Sequence, residues 1–154
     1  MPTYLKIGPR ESFLVHREML DTMSDKYTAP VRARLEVGRQ VSEAEFVEAV
    51  ETQELLRQAV DAALDDCDAL VLPTMPIPAP KLGAETVRVG GADQVTRAMT
   101  LRNTQLFNLT GHPAISLPCG TTAEGLPVGL QLVGPRGRTD ALVRVALACE
   151  GLLR

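Results

Sequence analysis

Apolar residues recur at helical spacing in the first part of the chain, residues 1–66. Between residues 11 and 23 they can share one helix face, whose members are Phe13, Leu14, Leu20 and Met23. Tyr27-Thr28-Ala29-Pro30 breaks that pattern, and a short second helix is predicted to end near Gly38. The first part of the chain is therefore predicted to be mainly helical.

The clearest helix start is Ser42-Glu43-Ala44-Glu45. This is the spacing of a capping box, in which the serine hydroxyl accepts a hydrogen bond from the third helical amide and the glutamate carboxylate accepts one from the serine amide. The helix is predicted to continue to about residue 64, with charged residues on one side and an apolar side made of Phe46, Val50, Leu56, Val60 and Leu64. An amphipathic helix of this kind packs against another element.

The strand signals lie in residues 67–154. Residues 68–74 form a short apolar run closed by a proline, which predicts a buried strand with a loop at its end. Alternating prolines in residues 75–80 remove backbone donors and favour an extended conformation. We interpret this segment as a rigid connection, with a PxxP signalling ligand as the alternative.

One helix is predicted between residues 92 and 107, and Gly111-His112-Pro113 stops it. Residues 114–118 and 128–134 are apolar and predict two strands. The residues between them, from Cys119-Gly120 onward, have turn chemistry. A hairpin-like strand pair is the simplest interpretation.

The final helix is predicted to be capped by Thr139 and to bury an apolar stripe of Leu142, Val145, Ala146, Cys149 and Leu153. The order of elements is helices, strand, helix, strand pair and helix. This order predicts the α/β class, with helices packed on a small mixed β-sheet. No composition shift marks a domain boundary, so residues 1–154 are interpreted as one unit, mainly helical in 1–66 and sheet-bearing in 67–154.

Composition narrows the class of protein. The 154 residues are 45% hydrophobic but only 3% aromatic with no Trp, so aliphatic side chains and alanine must fill the core. A net charge of −3 with dispersed Lys and Arg argues against a nucleic-acid surface. The start Met1-Pro2-Thr3-Tyr4 lacks signal-peptide character and no apolar run approaches membrane-spanning length, which predicts a cytoplasmic chain without a membrane partner.

Metal and cofactor chemistry is not predicted. Cys67, Cys119 and Cys149 lack CxxC or metal-ligand spacing and are interpreted as buried free thiols. His16 and His112 are the only histidines, too few for a zinc site. The aspartates near the end of the third helix are predicted to be solvated turn residues rather than metal ligands: Asp65, Asp66 and Asp68.

Residues 102–134, RNTQLFNLTGHPAISLPCGTTAEGLPVGLQLVG, resemble the C-terminal part of an amidase signature enzyme. Residues 68–74, 107–114 and 125–134 match that family's segments in the same order. The resemblance implies the larger amidase signature fold and hydrolysis of carbon–nitrogen amide bonds, or transfer of the acyl group. In that family the chemistry depends on a nucleophilic serine, a second serine in a cis peptide and a lysine.

This constellation is missing from the sequence. The serines are Ser12, Ser24, Ser42 and Ser116, none beside a glycine, and the lysines are Lys6, Lys26 and Lys81. Gly90-Gly91 is followed by Ala92-Asp93 where serines would be required. A serine also needs a nearby base and oxyanion donors to act as a nucleophile. No residue is therefore predicted to be catalytic, and the chain is predicted to be inactive alone.

Thr104 and Asn108 are the predicted substrate-binding residues, because four positions apart they share one helix face whereas Arg102 points elsewhere. The alternative is that Asn108 caps the helix end before Gly111.

Two other arrangements have simpler alternatives. Cys119 and His112 invite a thiolate mechanism, but a buried thiol and a histidine that supports its turn are the preferred interpretation. Residues at the predicted strand end can line a pocket or merely stiffen a loop: Pro73, Thr74, Met75 and Ile77.

The leading hypothesis is the noncatalytic C-terminal part of an amidase-type hydrolase, which completes the fold and the substrate pocket. Its expected partners are a small-molecule amide, an N-terminal amidase portion or a second copy. The alternatives are a noncatalytic binding or assembly module on an amidase-like scaffold, and part of a glutamine amidotransferase A-type subunit.

Overall fold

The helices near the start of the chain are longer than their sequence signals. The computed structural model describes residues 2–153, in which α1 is Pro2–Thr22, α2 is Ala29–Gln40 and α3 is Glu43–Leu64, with a 3₁₀ turn at Ser24–Lys26. The helical signal in residues 11–23 covers only part of α1, which begins at Pro2 and includes Pro9. The missing amide of Pro9 is tolerated in this helix despite its usual cost.

Packing contacts cluster into two groups, one up to Leu56 and one from Arg57 on, which are described in turn. In the first, Phe13, Leu20 and Leu35 form a buried cluster against which Tyr27 packs. Gly38 of α2 lies directly against α1, since a side chain there would collide with the Pro9 carbonyl. The close approach of these two helices therefore requires glycine at position 38.

The capping box at the start of α3 is confirmed. The Glu45 amide donates to Ser42 Oγ at 3.3 Å, and the Ser42 amide donates to Glu45 Oε2 at 3.0 Å. The end of the helix at Leu64 is confirmed as well. The buried side of α3 differs from the predicted apolar side at one position: Ala49 is buried, whereas Val50 is 41% exposed.

The second group is built on a three-stranded sheet. Strands β1 (Leu70–Pro73), β4 (Ala114–Thr121) and β5 (Pro127–Val133) lie in the order β1-β5-β4. The α/β class is confirmed, but the expected mixed pairing is wrong for the described strands, since both neighbours of β5 run antiparallel to it. The turn expected at Cys119-Gly120 is also wrong, because β4 continues to Thr121 through an irregularity in its register.

The structure of residues 92–107 also differs from the prediction. A hairpin precedes the helices: β2 (Thr86–Val89) pairs with β3 (Ala92–Val95) across Gly90-Gly91. Both glycines have positive φ, at 58° and 83°, as tight two-residue hairpin turns require. The single predicted helix is instead two short ones, α4 (Thr96–Leu101) and α5 (Gln105–Thr110).

Neighbouring side chains of β5 point to opposite faces of the sheet, and helices pack on both faces. Val133 packs with Phe107 of α5 and with Val60 and Leu64 of α3. Leu132 packs on the other face with Leu142 and Ala146 of α6 (Thr139–Leu153).

Two details of the last helix differ from expectation. Leu153 is 40% exposed and so lies outside the buried stripe. The Leu142 amide bonds the Arg138 carbonyl, so the cap position is Arg138 and Thr139 is the first helical residue.

The thiols are free, but they are not all buried as expected. Cys119 and Cys149 are half-buried, whereas Cys67 is exposed in the turn after α3, where its Sγ donates to the Ala63 carbonyl at 3.5 Å. Among residues 2–153, no helix combines the length and the apolar character needed to cross a lipid bilayer.

Candidate functional site

A cavity of about 540 Å³ opens where β1 ends. Its walls come from the proline-stiffened loop after β1 and from the β4–β5 pair. The lining residues are Pro73, Thr74, Met75, Pro76, Ile77, Pro78, Ser116, Leu117, Pro118, Pro127, Val128 and Gly129. All four residues considered as pocket residues from the sequence, Pro73, Thr74, Met75 and Ile77, are in this lining.

The loop wall of the cavity is held by backbone and side-chain hydrogen bonds. The Thr74 amide donates to the Gly129 carbonyl at 2.9 Å, which continues the β1–β5 ladder by one residue. Asn103 Nδ2 donates to the Pro73 carbonyl at 2.8 Å, and the buried Gln131 Nε2 donates to the Asn103 carbonyl at 3.2 Å. The position of the loop is thus tied to the centre of the sheet.

Thr74 and Ser116 form the polar part of the cavity. Their hydroxyl groups hydrogen-bond to each other between the loop and β4. Gly129 of β5 makes this possible, since a Cβ on it would come within 2.8 Å of both hydroxyl oxygens. Real Cβ atoms essentially never come that close, so a larger residue at position 129 would force the two hydroxyls apart.

Ser116 is the serine in the cavity lining, but its hydrogen-bond partner does not activate it as a nucleophile. Its hydroxyl bonds another hydroxyl, that of Thr74, rather than a base. Lysines 6 and 26 bind carboxylates elsewhere: Lys6 lies 3.6 Å from Glu45 and Lys26 lies 3.7 Å from Asp25. A serine without an adjacent base stays a weak nucleophile.

Thr104 is the cap position before α5, and Asn108 lies one turn into that helix. The Asn108 amide donates to the Thr104 carbonyl at 3.2 Å, and the Thr104 hydroxyl donates to the Leu101 carbonyl at 3.2 Å. Asn108 is exposed, as is Arg102. Neither Thr104 nor Asn108 is in the lining of the cavity. A substrate contact for the two residues stays a prediction.

His112 is buried and engaged through both ring nitrogens. Nδ1 lies 2.8 Å from the Thr110 hydroxyl and Nε2 lies 3.0 Å from Asp61 Oδ1. Cys119 Sγ donates instead to the Val128 carbonyl at 3.5 Å, across the β4–β5 pair. The imidazole therefore has no free nitrogen to accept a proton from Cys119. These contacts agree with the preferred interpretation of His112 as a support for its turn.

Asp61 joins α3 to the loop after β5. Arg136 donates to both of its carboxylate oxygens, at 3.3 and 2.7 Å. These hydrogen bonds are the main reason that the pKa of Asp61 is lowered, and the bond from His112 adds to the effect. Because an ionised carboxylate only accepts hydrogen bonds, Nε2 of His112 carries a proton.

The aspartates near the end of α3 are all exposed: Asp65, Asp66 and Asp68. Among residues 2–153, no three histidine, cysteine, aspartate or glutamate side chains come together in a way that could hold a metal ion.

Comparison with known proteins gives one consistent result. A family model described as "Amidase" matches residues 3–143. The chain is 35% identical to an "Amidase" of Pseudomonas putida, over 97% of this chain and 32% of the relative. It is also 35% identical to the A-type subunit of the glutamyl-tRNA(Gln) amidotransferase of Microcystis aeruginosa, over 97% of this chain and 35% of the relative.

The fold agrees with these matches. A crystal structure of an amidase superposes with a TM-score of 0.85 at 33% identity, covering 93% of this chain and 33% of that one. The chain spans about a third of the length of each of these three relatives.

Proposed function

The chain belongs to the amidase family, and from this membership we propose that it forms a substrate-binding wall for hydrolysis of a carbon–nitrogen amide bond. In this proposal the serine nucleophile and its base come from residues that this sequence does not contain. The chain contributes binding and orientation, which affect the rate strongly because a reacting bond must be held close to its nucleophile.

The cavity at the end of β1 is the observation that carries the proposal. It is concave, its volume is typical of a small-molecule site, and its mostly apolar wall includes two hydroxyls that can orient a ligand. Its loop is fixed to β5 through Asn103 and Gln131, so the wall is preformed. A rigid wall positions a substrate at low entropic cost.

Reconstitution with a relative tests this proposal. The chain would be co-expressed with the part of the Pseudomonas putida amidase that lies outside the aligned region, and hydrolysis of 4-nitroacetanilide would be followed by absorbance. We expect hydrolysis only when both parts are present. Release of nitroaniline by the chain alone, or a purified complex of the two parts that hydrolyses no amide, would overturn the proposal.

Matched variants connect any activity to the cavity. Ile77→Asp places a charge in the lining, whereas Leu82→Asp makes a similar change at a fully exposed residue of the same loop region. We expect Ile77→Asp to raise KM by at least about tenfold because it weakens substrate binding. Leu82→Asp should leave KM unchanged.

A noncatalytic assembly module is the second candidate. The observation in its favour is an apolar surface on α6, where Val143 is 43% exposed and Leu147, one helical turn later, is 64% exposed. Such a surface would associate with a second copy. Concentration-dependent dimerisation in sedimentation, abolished by Leu147→Lys, would support this candidate, and a monomer at all concentrations would remove it.

An amidotransferase role is an alternative to the leading proposal, and binding of glutamine in the cavity would favour it. It rests on the 35% identity to an A-type amidotransferase subunit. That role requires glutamine as the ammonia source and partner subunits that use the ammonia.

A further inference from the structure

The lining of the cavity restricts the kind of amide that can occupy it. We infer that the cavity accepts an uncharged, mainly apolar amide with one hydrogen-bonding carbonyl, and that it excludes a zwitterionic amino acid such as glutamine. The inference rests on the proposed function, since it names the substrate class of the same site.

The described part of the cavity lining offers no charged side chain to pair with a charged ligand. Among the described residues, those that line the cavity include no Asp, Glu, Lys, Arg or His; they are prolines, aliphatic residues, a methionine, a glycine and two hydroxyl residues. Free glutamine carries an ammonium and a carboxylate group. Moving either group out of water without an opposite charge or several hydrogen bonds costs several kcal/mol in general. The described side chains of the lining carry no opposite charge, and their hydrogen-bonding groups are the hydroxyls of Thr74 and Ser116.

The two hydroxyls of the lining can donate only one hydrogen bond to a ligand. Each hydroxyl has one hydrogen to donate, and the bond between Thr74 and Ser116 uses one of the two. The pair therefore retains one hydrogen for a ligand. One donor suits one carbonyl oxygen, which is what a simple amide presents, whereas a free amino acid presents a carboxylate in addition to its amide.

The prolines of the lining also favour an apolar ligand over an anionic one. Pro73, Pro76, Pro78, Pro118 and Pro127 all line the cavity. Because proline has no backbone N–H, these positions cannot donate to an anionic ligand. Their rings instead present flat apolar surface, against which an aryl or alkyl group packs and loses contact with water.

Size is consistent with this assignment. The volume of about 540 Å³ lies within the range of small-molecule sites, so an aryl amide fits with space to spare. Ile77 and Met75 on the loop provide aliphatic contacts for the ring. The hydroxyl pair fixes the carbonyl.

The experiment is a binding titration of the full chain, without any catalytic partner. Acetanilide and L-glutamine would be added separately while amide chemical shifts are followed by NMR. We expect acetanilide to shift the amides of Thr74, Ser116 and Gly129 with a dissociation constant on the order of 1 mM, and glutamine to shift none of them at tenfold higher concentration.

Variants test the apolar wall and the hydroxyl pair of the cavity separately. Ile77→Asp should weaken acetanilide binding at least about tenfold, while the exposed control Leu82→Asp should not change it. Thr74→Val together with Ser116→Ala removes both hydroxyls, and with them the hydrogen available to the ligand, and should weaken binding several-fold while leaving the spectrum of residues outside the cavity unchanged. An unchanged spectrum at those distant residues shows that a variant still folds.

Several results would overturn the inference. Glutamine shifts at the cavity amides, acetanilide shifts confined to other residues, or equal weakening by Ile77→Asp and Leu82→Asp would each do so. Failure of the reconstituted hydrolysis would refute the proposed function alone, because the titration measures binding by this chain without its chemistry.

Discussion

The Nε2 atom of His112 lies 3.0 Å from Oδ1 of Asp61, and this hydrogen bond joins the turn before β4 to the last turns of α3. The His112 side chain is completely buried, whereas that of Asp61 is 37% exposed. The other ring nitrogen bonds Thr110, whose carbonyl accepts from Arg57 Nε at 3.2 Å. One imidazole therefore connects α3, α5 and β4 within the second group of the chain.

Replacing His112 by Ala should lower the free energy of unfolding by about 2–3 kcal/mol, since it leaves a cavity and removes hydrogen bonds from Thr110 and Asp61. The matched control is His16→Ala, which loses a part-buried hydrogen bond and an edge-on ring contact, both to Tyr27, and should cost about 1 kcal/mol. Urea denaturation measures the free energy of unfolding of both variants, and an unchanged m-value shows that the change is one of stability. Equal losses for the two histidines would contradict the role assigned to His112.

The pKa of Asp61 gives a pH dependence. It is lowered below the ordinary value of 3.8, first by the hydrogen bonds of Arg136. A carboxyl with a lower pKa in the folded state stabilises fully above the pKa of the unfolded chain, and that stabilisation is lost as the pH falls through the folded pKa. The difference in unfolding free energy between wild type and Asp61→Asn should therefore shrink below about pH 4.

Arg136→Gln provides the companion measurement for this pH effect. It keeps the Asp61 carboxyl but removes the main cause of the lowered pKa, so the pKa of Asp61 should rise towards its ordinary value. The acid-dependent loss of stability should become smaller in this variant. If Arg136→Gln loses stability at low pH as much as the wild type does, a group other than Asp61 causes the loss.

The capping box predicts a local stability effect at the start of α3. Ser42→Ala removes the oxygen that accepts from the Glu45 amide and should cost about 1 kcal/mol. Ser12→Ala is the control: Ser12 is exposed in α1, where alanine is a slightly better helix former, so the change should be neutral or mildly stabilising. Thermal unfolding followed by circular dichroism compares the two.

Two glycines in helices should respond in opposite directions to the same substitution. Gly38→Ala places a methyl group against the Pro9 carbonyl and should destabilise by about 1–3 kcal/mol. Gly8→Ala has open space around it and should stabilise α1 by up to about 1 kcal/mol. If both variants gain stability, the close approach of α2 to α1 is absent in solution.

Sequence signals predicted the fold best where they act locally. The Ser42 capping box depends on four consecutive residues, so its two hydrogen bonds and the start of α3 could be predicted directly. The hairpin was missed although Gly90-Gly91 marks its turn. Its strands have only four residues each, too few for alternation to outweigh the helical spacing of the residues that follow.

The cavity could be predicted only where its residues have a local sequence signal. Thr74 lies at the end of a recognisable strand, a common place for ligands in α/β proteins. Ser116 and Gly129 carry no such signal, since only the register of β1, β5 and β4 brings them to Thr74. Asn103 was missed because its role depends on the Pro73 carbonyl, thirty residues away in sequence.

The order β1-β5-β4 also determines when the sheet can form during synthesis. Leu70 pairs with Val133, so β1 leaves the ribosome long before its only described neighbour exists. The β2–β3 hairpin and the β4–β5 pair can form soon after their residues are synthesised. The backbone groups of β1 stay unpaired until β5 has been synthesised. A nascent chain paused between residues 73 and 127 thus exposes the segment on which the cavity is later built.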